Sequence, residues 1–141
     1  MAEKLHCCRL LKQINDDIEK LVNNGLRELD LTMIQMHVLE FLEHEEGRMS
    51  SMKKIEQHLG VSQPTAVGVI KRLEQKELVE PLTNPQDRRV KLVHMTPVGE
   101  EKVRVGVKQM QIIEDQLPDA LTQEELTEFS RLLEKIRLYI N

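Results

Sequence analysis

The stretch "HLGVSQPTAVGVIKRLEQK", residues 58–76, limits the fold more than any other part of the chain. A short helical pattern over about 51–59 stops at Gly60, and after Val61 alone Ser62 opens a second helix to about Lys76. Glycine ends a helix because it enters the left-handed conformation without steric cost, and serine caps the next by accepting from a first-turn N–H. Pro64 is tolerated in that first turn because the N–H it lacks has no helical partner there. Two short helices joined this tightly must fold back on each other. Leu59, Val61, Ala66, Val69, Ile70 and Leu73 supply the apolar sides that pack them. The expected unit is a helix-turn-helix.

The next segment adds a hairpin to that unit. "LVEPL" (78–82) and "RVKLVHM" (89–95) are rich in strand formers, and "TNPQDR" between them is turn-like, so a β-hairpin is expected. A helix-turn-helix followed by a hairpin is a winged helix. Upstream, a first helix is expected from about Glu3 to Leu26, with Leu11, Ile14, Ile18, Leu21 and Gly25 at spacings of three and four. Thr32 and Gln35 form a capping box for a second helix to about Glu43, carrying Ile34, Val38, Phe41 and Leu42. A very short strand fits near Arg48 and Met49.

Downstream, Thr96 and Pro97 open a long helix ending near Leu117-Pro118, with Val103, Val107, Met110 and Ile113 inward. Thr122 with Glu125 caps a last helix to about Ile140. The fold class is therefore mainly α with a small β-hairpin: a winged helix-turn-helix (31–96) flanked by an N-terminal dimerisation helix (1–30) and C-terminal dimerisation helices (97–141), in one continuous domain. The terminal seams exceed what a small lobe covers, so a homodimer is expected through Leu11, Ile14, Ile18, Leu126, Phe129, Leu133, Ile136 and Ile140. An intramolecular bundle is the alternative.

Composition removes several function classes. The chain has 141 residues, 40% of them hydrophobic, and no apolar run near the ~20 residues that cross a bilayer. "MAEKLHCCRL" lacks the apolar core of a signal peptide, so a cytoplasmic protein is expected. Phe41, Phe129 and Tyr139 are the only aromatic residues, too few for the stacking platforms of single-strand binders. The six glycines form neither GxGxxG nor a P-loop. Cys7 and Cys8 are helix neighbours whose side chains point about 100° apart, a poor arrangement for a mutual disulfide or one shared ion. They read as inert thiols, with a redox or metal role across a dimer as the alternative. His6, His37, His44, His58 and His94 fall in no nucleophile or metal motif, so no enzyme, catalytic residue, cofactor or metal site is expected.

The charge is unevenly placed. The formal net charge is -4, yet residues 48–96 hold nine basic and five acidic side chains, leaving +4 there and -8 elsewhere. An acidic body with a basic middle suits a phosphate-binding surface. On the second short helix, Ser62, Gln63, Thr65, Val67, Gly68, Lys71 and Arg72 lie off the apolar side as DNA-binding candidates. Gln63 suits adenine edges, Lys71 or Arg72 suit guanine or phosphate, and Thr65 suits phosphate oxygens. In "NPQDRRVKL" (84–92), Arg88, Arg89 and Lys91 are wing candidates. Asp87 stands two residues before Arg89 and would share its face if the strand has begun, orienting the guanidinium.

With "GVSQPTAVGVIKRLEQKELVEPLTNPQDRRVKLVHMTPVGEE" (60–101), and above all the Asp-x-Arg of "NPQDRR", the chain resembles the multiple-antibiotic-resistance regulator (MarR) family of winged-helix transcription factors. Element order and length agree over essentially the whole chain. The resemblance implies a homodimer on a pseudo-palindromic, double-stranded operator, usually a repressor released by a small-molecule effector or by oxidation. It implies recognition helices in successive major grooves and wing arginines in the flanking minor grooves.

The chain departs from the family pattern at three places. Val67 and Gly68 stand where a hydroxyl residue and an arginine are common, and Glu77 replaces a usual glycine at the helix end. Residues 97–117 hold none of the histidines of zinc-sensing relatives, and no tyrosine lies near Cys7 and Cys8. No residue set identifies a ligand class. The alternative is a dimeric interaction module, or a thiol redox sensor, with weak or lost DNA binding. Arg89→Ala is expected to weaken DNA binding more than Lys102→Ala.

Overall fold

The computed structural model describes residues 6–141. The expected start of the first helix at Glu3 lies outside them; helix α1 is described as Cys7–Gly25. A single 3-10 turn, Arg27–Leu29, leads to α2 (Met33–His44), whose capping box forms as Thr32 and Gln35 exchange hydrogen bonds. Another short turn enters β1 (Met49–Ser51), followed by α3 (Met52–Leu59) and α4 (Gln63–Gln75). Strands β2 (Val79–Thr83) and β3 (Lys91–Met95) form the hairpin. Then come α5 (Pro97–Gln116), a turn at Leu117–Ala120 and α6 (Gln123–Ile140). None of the described helices is long and apolar enough to cross a membrane.

Local chemistry explains most boundaries. Gly60 ends α3 at φ 64°, in the left-handed region, and its N–H closes on the Glu56 carbonyl. Ser62, Thr96 and Thr122 each accept from the backbone N–H three residues on, starting α4, α5 and α6. At the last of these, the Thr122 N–H bonds back to Glu125 and holds its carboxyl below the ordinary carboxylate range.

The sheet runs β1-β3-β2, antiparallel throughout. Pro81 pairs with Val93 from β2, an edge strand, where a missing N–H leaves no interior ladder bond unmade. Strand β3 starts two residues later than the sequence pattern suggests. Residues 84–90 instead form a compact turn, closed by Asp87 N–H to Asn84 O and Val90 N–H to Asp87 O.

Helix α2 is the hub, packing on α3, α4, α5 and β3. Its Met36, Val38, Leu39 and Leu42 are fully buried with Ile55, Leu73, Leu78, Met95 and Val103. Phe41 stacks on His58 of α3, with ring centroids 4.4 Å apart. Two glycines mark close approaches. A Cβ at Gly99 would collide with the Leu78 carbonyl oxygen, and one at Gly106 would collide with Met36 Sδ. So Gly106, with Val103, faces the core, and Val107, expected inward, is exposed. Gly25, expected on an outer seam, lies against Ile113 of α5.

The end of α4 is unusual. Glu77 takes φ 61° where glycine is normal, at a cost of about 1–2 kcal/mol. Leu78 N–H reaches the Leu73 carbonyl and Glu77 N–H the Glu74 carbonyl, which is the Schellman pattern, with Leu73 and Leu78 both buried. The Thr96 hydroxyl adds a bond to the Glu77 carbonyl. Burial of those leucines and the α5 cap hold the backbone where Glu77 alone would not go.

Candidate nucleic-acid interface

Ala66, Ile70 and Leu73 turn one side of α4 into the core, which forces Pro64, Gly68, Lys71 and Gln75 to the opposite, exposed ridge. Gln63 and Val67 flank the ridge on the wing side. With Ser51, Met52, Lys53, Arg89 and Lys91 they line an open groove of about 780 Å³ between α4 and the hairpin. Lys71 lies nearby, in a smaller cleft with Leu82 and Lys91. Helix, wing and the start of α3 thus present one continuous face.

Thr65 and Arg72 lie on the other flank of α4, beside Glu19, Asn23, Thr32 and Gln35. The Thr65 hydroxyl is 2.9 Å from that of Ser62. The Ser62 hydroxyl accepts from the Thr65 N–H at 3.4 Å as the helix cap, and its side chain is exposed.

The wing turn orients its arginine without a strand. Asp87 Oδ1 accepts from the Arg89 backbone N–H at 3.1 Å and from its Nε at 3.2 Å. The pairing expected from a shared strand face is made by an Asx turn, because β3 begins only at Lys91. Arg89 remains 92% exposed, so the ion pair adds little stability while restraining the direction of the guanidinium. Arg88 is exposed and Lys91 faces the groove.

Two basic residues of the middle segment are held elsewhere. Lys76 donates to the Asp30 carbonyl and, at 3.1 Å, to Gln35 Oε1, tying the end of α4 to the turn between α1 and α2. Arg48 pairs with Glu100 of α5. Lys53, Lys54, Lys71, Arg72, Arg88, Arg89 and Lys91 are left as exposed cations around α4 and the wing. Lys102 donates to the Leu29 carbonyl at 3.0 Å and is part-buried, so it is no neutral comparison for a DNA contact. Lys108, exposed on the same helix, is the better one. Sequence patterning does not reveal these inward turns, since a lone lysine carries no sign of which carbonyl it will meet.

Comparison with known proteins identifies the lineage. Residues 29–90 match the family model described as MarR family. The multiple antibiotic resistance protein MarR of Salmonella typhimurium is 31% identical over 131 residues, covering 91% of this chain and 88% of that one. The chain belongs to the MarR family. It is a winged-helix, DNA-binding transcriptional regulator, and its relatives are regulators rather than enzymes. Among solved MarR-family structures, a mutant MarR from E. coli complexed with operator DNA is 28% identical, with a TM-score of 0.81 over 91% of each chain. Bordetella bronchiseptica BpsR, whose DNA binding is regulated by 6-hydroxynicotinic acid, is 26% identical, with a TM-score of 0.81 over 94% of this chain and 99% of that one.

Helix α6 has no buried residue, and Phe129, Leu133, Ile136 and Ile140 are all exposed, with Leu126 half-buried. Leu11 and Ile14 of α1 are likewise exposed, whereas Ile18 packs against the core of its own protomer. Cys7 and Cys8 are free and exposed.

Proposed function

We propose that this MarR-family chain is a ligand-responsive repressor that binds a pseudo-palindromic operator as a homodimer. The observation that carries the reading is the single face made by the α4 ridge and the wing, where Lys71, Arg89 and Lys91 stand exposed along two adjoining clefts and Arg88 is exposed on the wing turn. Phosphate contacts from such cations position a helix in the major groove, and a wing arginine suits the narrower minor groove beside it. The unburied apolar residues of α6 and of the start of α1 support a two-fold partner, because one lobe leaves them in water.

An effector is supported by a second groove, of about 390 Å³, between α1, α2 and α4. It is lined by Glu19 and Asn23 of α1, Ile34 of α2, and Pro64, Thr65, Gly68 and Arg72 of α4, so it borders the outward ridge of that helix. A ligand there touches both a dimerisation helix and the recognition helix, so its binding energy can favour one angle between them. BpsR, regulated by a small aromatic acid, supports the same logic.

The test is a titration of labelled duplex from the region upstream of the chain's own gene. Affinity should fall on the order of a thousandfold between ~50 and ~200 mM salt, as for proteins that neutralise several phosphates. Arg89→Ala should cost roughly tenfold in affinity, in the range of a single arginine contact, and Lys108→Ala almost nothing. Equal losses from the two variants defeat the wing assignment. Absence of any saturable binding favours the reading in which DNA recognition has been lost.

A further inference from the structure

Gly68 has no role in holding the protomer together. Among the described residues, a Cβ built there meets nothing within 4 Å, and its φ lies outside the left-handed region. Gly99 and Gly106 are the opposite case, since a Cβ there would strike backbone or a buried methionine. Mid-helix glycine weakens α4 relative to alanine, so the fold alone would favour alanine at this place.

The neighbours of Gly68 show what the missing side chain opens. Pro64 precedes it by one turn on the same outward ridge, and Val67, 38% exposed, stands beside it toward the wing. Pro64, Val67 and Gly68 form a low, uncharged patch in the amino-terminal half of α4. Lys71 one turn on, Arg72 on one flank, and Lys53, Arg89 and Lys91 across the groove place five cations around that patch, against the three carboxylates of Glu19, Glu56 and Glu74 in the same clefts. A bare apolar centre with a cationic rim matches a major-groove floor flanked by phosphates. Within that groove, the apolar feature of a base edge is the C5-methyl of thymine.

We infer that Pro64, Val67 and Gly68 form a thymine-reading surface, with Gly68 the specificity-determining position. Its absent side chain lets the α4 backbone settle close enough for Val67 and Pro64 to cover thymine methyls in each half-site. This deepens the operator-binding reading and rests on it. The ridge selects A·T pairs at its amino-terminal end, and Lys71 and Gln75, further along the same ridge, meet the following pairs. A helix with an outward arginine at 68 would instead read a guanine and stand further from the floor.

The experiment uses the full chain and duplexes it enriches from a random-sequence library. Single thymines in the enriched half-site are replaced by deoxyuridine, which deletes only the methyl, and affinities are compared for wild type, Gly68→Ala and Gly68→Gln. One or two replacements per half-site should weaken wild-type binding about fourfold each, the effect of one buried methyl. Gly68→Ala should raise the melting temperature by about 2–4 °C while losing tenfold or more in affinity for the enriched duplex. Its response to deoxyuridine should vanish. Gly68→Gln should enrich a different base at the same position. Wild-type binding that Gly68→Ala retains in full, or that no deoxyuridine replacement alters, overturns this assignment alone. A wild type that enriches no sequence at all overturns it together with the operator-binding reading.

Discussion

Helix α2 and helix α6 carry the same kind of sequence pattern and end in opposite situations. Both open with a capping box and space their apolar residues by threes and fours. Helix α2 buries Met36, Val38, Leu39 and Leu42 completely inside the winged lobe. Helix α6 buries nothing: Ile136 is 45% exposed and Ile140 76%. A seam therefore states that a helix has an apolar side, and only the surrounding chain states whether that side is already covered. In the lobe, apolar contact is satisfied within one protomer. At the terminal helices it awaits a second surface, which the proposed homodimer supplies.

The largest expected effect separates the two directly. Ile136→Glu places a charge on the uncovered seam twice per dimer, once from each copy. Dimer dissociation should rise about a thousandfold, roughly 4 kcal/mol, read as halved mass in sedimentation. Secondary structure of the lobe should persist. An unaltered dimer would mean that α6 is not the interface and that the contrast with α2 has another cause.

Next in size is Leu39→Ala, which opens a cavity in the lobe itself. A loss of about 3 kcal/mol is expected from urea unfolding, within the usual span for a buried leucine. Dimer mass at protein concentrations well above dissociation should be unchanged while the lobe remains folded. If Leu39→Ala disturbed assembly as much as Ile136→Glu, the two regions would be one cooperative unit.

The smallest effect concerns a place where the lobe overrides a local preference. Glu77→Gly should stabilise the protein by about 0.5–1 kcal/mol, since glycine accepts the left-handed conformation that ends α4. Loss of stability on that change would show that the glutamate side chain contributes more than its backbone strain costs.

The same division between local and distant causes governs what is legible in the sequence. Gly60, Ser62, Thr96 and the capping boxes at Thr32 and Thr122 are legible, because each depends on hydrogen bonds within a few residues. The exposed positions on α4 follow from its period once Ala66, Ile70 and Leu73 are assigned inward. Periodicity misplaces Val107 because a long helix with a broad apolar arc has several sides that could face the core. The close fit of Gly106 beneath Met36 chooses among them. Lys76, Arg48 and Lys102 enter a sequence reading as charge, yet the fold commits them to Asp30, Glu100 and Leu29. The Asp87–Arg89 pair of the wing is legible as a pair but not in its geometry, since a turn rather than a strand joins them.

By itself the sequence determined the order of helices and strands, their caps, the helix-turn-helix and the identity of the wing residues. Those depend on propensity and on hydrogen bonds that span a handful of positions. Tertiary structure decided which apolar side each helix buries, which cations remain free for a partner, and why Glu77 accepts a left-handed backbone. Each of those outcomes turns on atoms far apart in the chain, such as Leu78 against Gly99 or Lys76 against Asp30, whose meeting no local pattern encodes. The bare ridge at Gly68 belongs to both levels. Its composition is written in the sequence, and only the empty space around it shows that the fold has no use for a glycine there.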